Sequence, residues 1–482
     1  MHIITPNFLI LSIMLVGLVN LISTLISFAR NFLVLINSLF FFSNILIIDW
    51  LFFSGIRADL HMFSFGKYSI DFHLEATGVI FLNLLGCLWP CALMYTIKYL
   101  ELNKMQNQSR FLFFLNLSVL SGIFIALSAN LFTMFIFYEV LTLSTIPLII
   151  HQQGKGVKEG AYQYLKILMI SGLVLFSSAI IIIYSKVGKG DFVYRGFIAN
   201  YFSINQTIIL FIMFIFGISK AALYPLHKWL PAAMVASYPV SALLHAVVVV
   251  KAGLFCIYKV VICVFGIEYL HSIFADFNWI LLFPIITIFY CSIKALKIDN
   301  IKMILAYSTI NQLSIGLMSC FMFTQKALAA AIIHMISHSL SKICLFYAAG
   351  SMYSLKKTVK LNDLIGINKS LPLTSAIFLI ATLSIIGLPP FGGFVSKFYI
   401  MLAASQQSQF LVMIMIALST ILSALYMIKI LIYIYKPSIN RPVQIENKLP
   451  FMMVVSLILC TTGVVMFFVI SKFINKFLVY IV

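Results

Sequence analysis

Charge is what this sequence has least of. Lys, Arg, Asp and Glu make up 9% of its 482 residues, where a soluble globular chain carries about 25%. Mean hydropathy is correspondingly high, at +1.09. A water-soluble enzyme is excluded. Acidic residues are the scarcest, 13 against 32 Lys and Arg. In a soluble protein the net charge of +19 would suggest nucleic acid, but here the basic residues sit mostly in short connections between apolar runs and read as topology determinants. Alternation of the β-barrel kind is absent. The apolar runs instead approach about 20 residues, the length an α-helix needs to cross a hydrocarbon layer about 30 Å thick. The expected class is an all-α polytopic membrane protein. CxxC spacing is also missing among the eight cysteines. Six of them (Cys87, Cys91, Cys256, Cys263, Cys344, Cys460) lie inside apolar runs and read as small core residues. No Lys or Arg occurs in the first 29 residues, so a basic signal-peptide n-region is not expected and the first run reads as a retained span.

Fourteen spans are predicted, at 7–28, 31–53, 76–98, 111–129, 130–150, 161–184, 207–230, 239–266, 277–293, 303–323, 327–350, 372–404, 409–435 and 451–475. The polar stretches between them, the longest being 54–75, 185–206 and 351–371, are too short for a separate core. Most loop lysines and arginines, Lys155, Arg441 and Lys448 among them, fall in the odd-numbered loops and their borders. The positive-inside rule then places those loops inside and both termini outside.

Two spans are abnormal. The seventh, TIILFIMFIFGISKAALYPLHKWLP, breaks at Pro225, and the twelfth, FLIATLSIIGLPPFGGFVSKFYIMLAA, breaks at Gly387-Leu388-Pro389-Pro390. Each proline removes a helix hydrogen bond and frees carbonyls that lipid cannot satisfy, so a broken helix must line protein or water. The breaks lie five spans apart. This divides the chain into helices 1–3 (residues 1–110), a first five-helix unit (111–266), a second (267–435) and a last helix (436–482). An odd number of helices relates the two units by inversion, and paired broken helices mark an ion or substrate pathway.

The intramembrane charges fall on the same elements. Glu139 is the lone ionisable residue of LFTMFIFYEVLTLSTIPLII; Lys220 precedes Pro225 by five residues; Lys251 is central in its span; Lys397 follows Pro389 by eight. His334, His338 and Lys342 step by four and so share one helix face. Each central charge costs roughly 2.5–3.5 kcal/mol on insertion scales, which marks the set as functional. His227, beside the first break, and His245, four residues after Ser241, read equally as packing or pathway residues. Helix packing against the neighbouring serines 337, 339 and 341 competes for the first two histidines. A zinc site is not expected, since no glutamate follows His334 and no third ligand is apparent. Amines held next to other cations in a low dielectric and imidazoles exchange protons near neutral pH. Glu139 reads as a switchable counter-ion to a lysine. A solute carrier would need more Asn, Gln and aromatic groups around one cavity.

The strings FIFYEVLTLSTIPLI, GISKAALYPLHKWLPAAMVASYPVSALLHAVVVVKAGLF, KALKIDNIKMILAYSTINQLSIG, HMISHSLSKICLFYAAG and GLPPFGGFVSKFY resemble signature segments of the antiporter-like, proton-conducting membrane subunits. That family is shared by respiratory complex I (NADH–quinone oxidoreductase) and the Mrp-type multisubunit Na+/H+ antiporters. The resemblance covers roughly residues 75–405. It implies fourteen helices, two inverted five-helix repeats and a polar axis at mid-membrane. It also implies roles for Glu139 (fifth-helix glutamate), Lys220 (broken-helix lysine), Lys251 (central lysine), His334, His338 and Lys342 (eleventh-helix relay) and Lys397 (twelfth-helix exit).

Within the family, FHLEATGVIFLNLLGCLWP looks more like the D-type member of the Mrp antiporters than like a complex I subunit, with Glu75 where many relatives carry an aspartate. Lys397 stands where one complex I subunit has glutamate. With the sequence ending soon after the fourteenth span, the lateral helix of the largest complex I subunit is not expected. The expected function is proton translocation within a multisubunit cation/proton antiporter, beside other membrane subunits, with Na+ or K+ as candidate exchanged ions. A proton-pumping subunit of complex I and an autonomous transporter of a small solute are the alternatives. A scaffold that has lost conduction would not keep the charged axis. Neither haem, flavin nor nucleotide is expected, nor nucleic acid as a partner. The bacterial inner membrane is favoured over the mitochondrial one.

Overall fold

The computed structural model describes residues 6–26, 28–152, 154, 156–437 and 449–480. Lys155, Arg441 and Lys448 lie outside the described residues, as does most of the connection before the last helix. Every predicted span falls on a helical segment. Among the described residues, nine helices are long and apolar enough to cross a membrane unaided, or ten when the bent pair Phe451–Val465 and Phe467–Leu478 is one span. The remaining four predicted spans fall short for physical reasons. The first helix, Pro6–Ser23, is short, and the seventh and twelfth spans are broken into pieces. The tenth, Ile301–Cys320, buries Ser308, Asn311, Gln312, Ser314 and Ser319, and this inward polarity lowers its hydropathy.

Burial sorts the helices by role. The most apolar stretch of the eighth span (Tyr238–Phe265) is wholly buried and that of the eleventh (Gln325–Lys356) is 94% buried. The second (Arg30–Phe53) and thirteenth (Phe410–Tyr435) are mostly on the surface. Polar side chains on spans eight and eleven therefore face protein, where they can be partnered. The first, third and fourth spans are joined by a buried amide chain. Trp89 Nε1 donates to Asn116 Oδ1, Asn116 Nδ2 to Asn20 Oδ1, and Asn20 Nδ2 to the Val34 carbonyl.

One element departs from the all-helical expectation. Segment 54–75, read as a polar connection, folds into an antiparallel hairpin of β1 (Asp59–Phe65) and β2 (Tyr68–His73). Gly66, at φ +57°, supplies the left-handed turn. The hairpin is tied to the start of the fifth helix: Asn130 Nδ2 donates to the Ser69 carbonyl and the Asp71 amide to Thr133 Oγ1.

Helices four to eight and nine to thirteen correspond at a spacing of about 170 residues. Asn130 and Asn300 both cap their helices, accepting from the amides of Thr133 and Met303. Each also forms an isolated bridge to the loop after the next helix, Asn130 with Asp191 and Asn300 with Lys360. Lys259 donates to the Ser128 carbonyl, as Lys429 does to that of Ile298. Gly217 and Gly387 both stand at the end of the first half of a broken helix.

Candidate functional site

The first break begins earlier than its proline suggests. The helix Ile204–Gly217 ends before Lys220, and a short 3-10 turn, Ser219–Ala221, carries the lysine itself. Ala222 follows in the left-handed region at φ +59°. Pro225 lies further along the irregular stretch and His227 in the next 3-10 turn. Lys220 is thus held within the break. Its ammonium donates to the Tyr138 carbonyl at 2.8 Å and to Thr142 Oγ1 at 2.6 Å, and lies 3.2 Å from the Tyr138 ring centroid.

Glu139 sits on the same helix, Leu131–Ile149, between the two residues that receive Lys220. It is buried against Gly172, where a Cβ would collide with the carboxylate. Neither carboxylate oxygen has a hydrogen-bond partner among the described residues, and the Lys220 ammonium is bonded to the Tyr138 carbonyl and Thr142 instead of to the carboxylate. The two charges are neighbours with the pair open.

The centre of the site is a contact between the two most buried spans. Lys251 Nζ lies 2.5 Å from His338 Nδ1. One turn earlier on the eleventh span, His334 is fixed at both ring nitrogens, Nε2 against the Gln312 carbonyl at 3.1 Å and Nδ1 against Ser396 Oγ at 3.0 Å. The carbonyl only accepts, so Nε2 carries the proton in that bond and Nδ1 is free to accept from the serine. The two imidazoles stack with centroids 6.3 Å apart. The hydroxyl bonded to His334 comes from span twelve; Ser339 and Ser341 donate theirs to carbonyls of their own helix. Lys342, one turn beyond His338, donates to the Leu305 carbonyl at 3.0 Å and to Ser308 Oγ.

In the second break, Pro372–Ile386 ends at Gly387, at φ +94°, and the helix resumes at Gly392 after Pro389 and Pro390. Lys397 reaches back across the gap to the Ile386 carbonyl at 2.9 Å, the Ile385 carbonyl at 3.2 Å and Thr420 Oγ1 at 3.2 Å. An amine thereby occupies carbonyls that the interruption left without amide donors.

His245 and His227 stand apart from these contacts. His245 lies in a π-helical turn, stacks on Phe346 at 4.7 Å, and has neither ring nitrogen bonded among the described residues. His227 packs between Tyr224 and Tyr290.

The family model described as "NADH:quinone oxidoreductase/Mrp antiporter, TM" matches residues 128–423, which contain every residue described so far in this site. The chain belongs to this family. Proteins named "Putative antiporter subunit mnhA2" are similar to it, that of Staphylococcus saprophyticus at 31% identity over 68% of this chain and that of Staphylococcus aureus at 30% over 75%. The aligned regions are 42% and 48% of those relatives, so the chain spans about half their length. Two solved structures share the fold: a chain of the archaeal membrane-bound sulfane sulfur reductase (TM-score 0.83, 19% identity, 99% of both chains) and one of the Mrp complex from Dietzia (TM-score 0.83, 18% identity, 98% of this chain and 96% of that one).

Three charged residues outside the expected set of this antiporter-family chain, Lys302, Lys259 and Asp49, are also buried, and a fourth, Glu75, is largely so. Lys302 lies at the start of the tenth helix and Lys259 near the end of the eighth. Lys302 donates to the Ala236 carbonyl, and Lys259 pairs with Glu75 Oε1 at 2.8 Å. Burial opposes ionisation of the Glu75 carboxyl, just ahead of the third helix, but the Lys259 ammonium with Thr77 and His73 outweighs it and holds the group below the usual carboxylate range. Asp49, on the second helix, is buried and accepts from Asn83 at 2.7 Å. Lys259 and Asp49 each lie within two turns of a predicted span end, where sequence alone does not separate a buried charge from a border one.

Proposed function

We propose that this protein is an ion-translocating membrane subunit of a multisubunit cation/proton antiporter, moving protons along Glu139, Lys220, Lys251, His338, His334, Lys342 and Lys397. The two five-helix sets are the two halves of an inverted repeat, each with one broken helix, and both termini face outward across a bacterial inner membrane. The observation that carries this reading is the direct Lys251–His338 contact at 2.5 Å, deep between the two most buried spans. A buried amine that meets an imidazole has a partner able to take its proton, whereas a structural lysine would be matched by a carboxylate. Among the described residues, Lys220, Lys342 and Lys397 also donate only to carbonyls and hydroxyls. Proton occupancy at each is then set by the charge of its neighbours.

Two observations bear on the place within such an assembly. The segment around Glu75 supports a D-like role, while the named relatives are mnhA2 proteins and support an A-like one. A role in a respiratory complex is the second reading, favoured by the fold shared with the archaeal sulfane sulfur reductase chain. Purification with partners separates them: NADH-oxidising subunits would establish complex I, and small membrane subunits alone would establish the antiporter. In vesicles holding the assembled complex, Lys251→Ala should lower proton transport at least tenfold with subunit levels unchanged. Transport above half of the unmodified complex would refute the axis.

A further inference from the structure

Glu75 lines an open cavity of about 260 Å³ on the membrane face that carries the hairpin, and Lys259 pairs with it from behind the cavity wall. Arg57 and His73 line it from the hairpin arm, Thr77 from the third helix, Tyr194 from the loop after the sixth, and Cys263 from the eighth. Its walls are mixed polar and apolar, unlike a lipid-filled groove. Beneath it, Lys259 is fully buried: its ammonium touches Glu75, donates to the Ser128 carbonyl, and lies 4.4 Å from the Phe192 ring centroid. Thr77 Oγ1 donates to Glu75 Oε1 at 2.5 Å.

The far side of the pair points inward. A void of about 10 Å³ lies against Ile80, Phe255, Tyr258, Lys259, Ile332 and Met335, and only apolar surface faces it, so it is a dry gap and the inward step falls to the side chains around it. Tyr258 continues the line. A Cβ at Gly316 would sit 2.9 Å from the Tyr258 hydroxyl and 3.7 Å from His334 Cδ2, so a glycine separates that hydroxyl from the imidazole. Lys259 is also two turns beyond Lys251 on one helix, a rise of about 12 Å.

The counterpart in the second half supports a built feature. Lys429 occupies the matching place near the end of the thirteenth helix, pairing with Asp299 at 2.6 Å and donating to the Leu296 and Ile298 carbonyls at 3.1 Å. Helices eight and thirteen are five crossings apart and run in opposite directions, so the two lysines lie at opposite membrane faces. Lys429 and Asp299 are 26% and 70% exposed, whereas Lys259 is fully buried. One anchor is open and the other is closed beneath a cavity.

We infer that the Glu75–Lys259 pair closes a hydrated mouth through which protons reach His334 and Lys251 from the hairpin face. This rests on the proposed axis, and the test separates the two. In the assembled complex with a Cys263→Ser background, Ala76→Cys places a thiol on the cavity wall. A membrane-impermeant trimethylammonium methanethiosulfonate is applied from the hairpin side, modification is followed by mass, and proton transport is compared before and after. The expected result is complete modification with at least a tenfold loss of transport, and no loss in the treated background. Absence of modification would show that the cavity is not hydrated, and full modification with more than half of transport kept would show that it is not the mouth; either overturns the inference. Lys259→Met should give a tenfold loss with normal assembly and Lys259→Arg a smaller one. If Lys251→Ala alone retains transport, the axis has failed; if it abolishes transport while the modified cysteine does not, only the mouth has.

Discussion

Glu139 shows how one residue can be both expensive and indispensable. Its carboxylate is buried without a hydrogen-bond partner among the described residues, one residue along from the carbonyl that receives Lys220. A buried unpaired carboxylate is costly, and Gly172 leaves no spare room around it. The proposed role requires charge at this position, since an ionised Glu139 stabilises an ammonium at Lys220 and a neutral one does not. Glu139→Gln should therefore abolish proton transport in vesicles while the complex assembles normally, and transport above half of the unmodified level would contradict the role. Glu139→Asp should keep part of the activity, because the charge survives with its reach shortened by one methylene. A purely packing role predicts the reverse order, with glutamine tolerated as an isostere and aspartate leaving a gap.

At the scale of elements, the two broken helices solve one problem in different ways. The seventh span places its lysine inside the interruption, where the side chain leaves for the neighbouring helix; the twelfth places it after the interruption and sends it back to the freed carbonyls. Both breaks expose backbone that lipid cannot serve, so water should reach them. Cysteines replacing Lys220 and Lys397 in the assembled complex should react with small water-soluble thiol reagents, while a cysteine at the lipid-facing Leu173 should not. Equal protection at all three would count against a wet pathway. The breaks themselves were legible because proline and glycine act locally, and the sharing of one face by His334, His338 and Lys342 follows from helical spacing alone. The 3-10 turn that holds Lys220 was not, because the helix already ends at Gly217 and the turn begins at Ser219, ahead of any proline. The hairpin at Asp59–His73 was hidden too: its alternation is short, and its partners on the fifth helix lie some sixty residues away. Likewise, the Glu75–Lys259 pair joins residues whose proximity only tertiary packing creates.

For the whole molecule the open question is whether the two halves act in series. The amide caps at Asn130 and Asn300, the lysine anchors at Lys259 and Lys429 and the matching helix boundaries make two similar units, and similar units could conduct side by side. What argues for a chain is where they meet. Lys251, from the first unit, and His338, from the second, touch directly, and His334 beside it is bonded to Ser396, one residue before Lys397. Lys251 of the first unit is thus joined to the His338–His334 pair of the second, and on the proposed axis a proton leaving by Lys397 would pass through both. Contacting groups of this kind are coupled, and their substitutions should not add. In a serial path, Lys220→Ala combined with Lys397→Ala should lose little beyond the worse single variant, because flux already fails at the first missing link. Two parallel channels predict that each single variant keeps roughly half of the flux and that the double loses both halves. Proton flux in vesicles at matched subunit levels distinguishes the two, and additive loss in the double variant would establish parallel conduction in place of the chain.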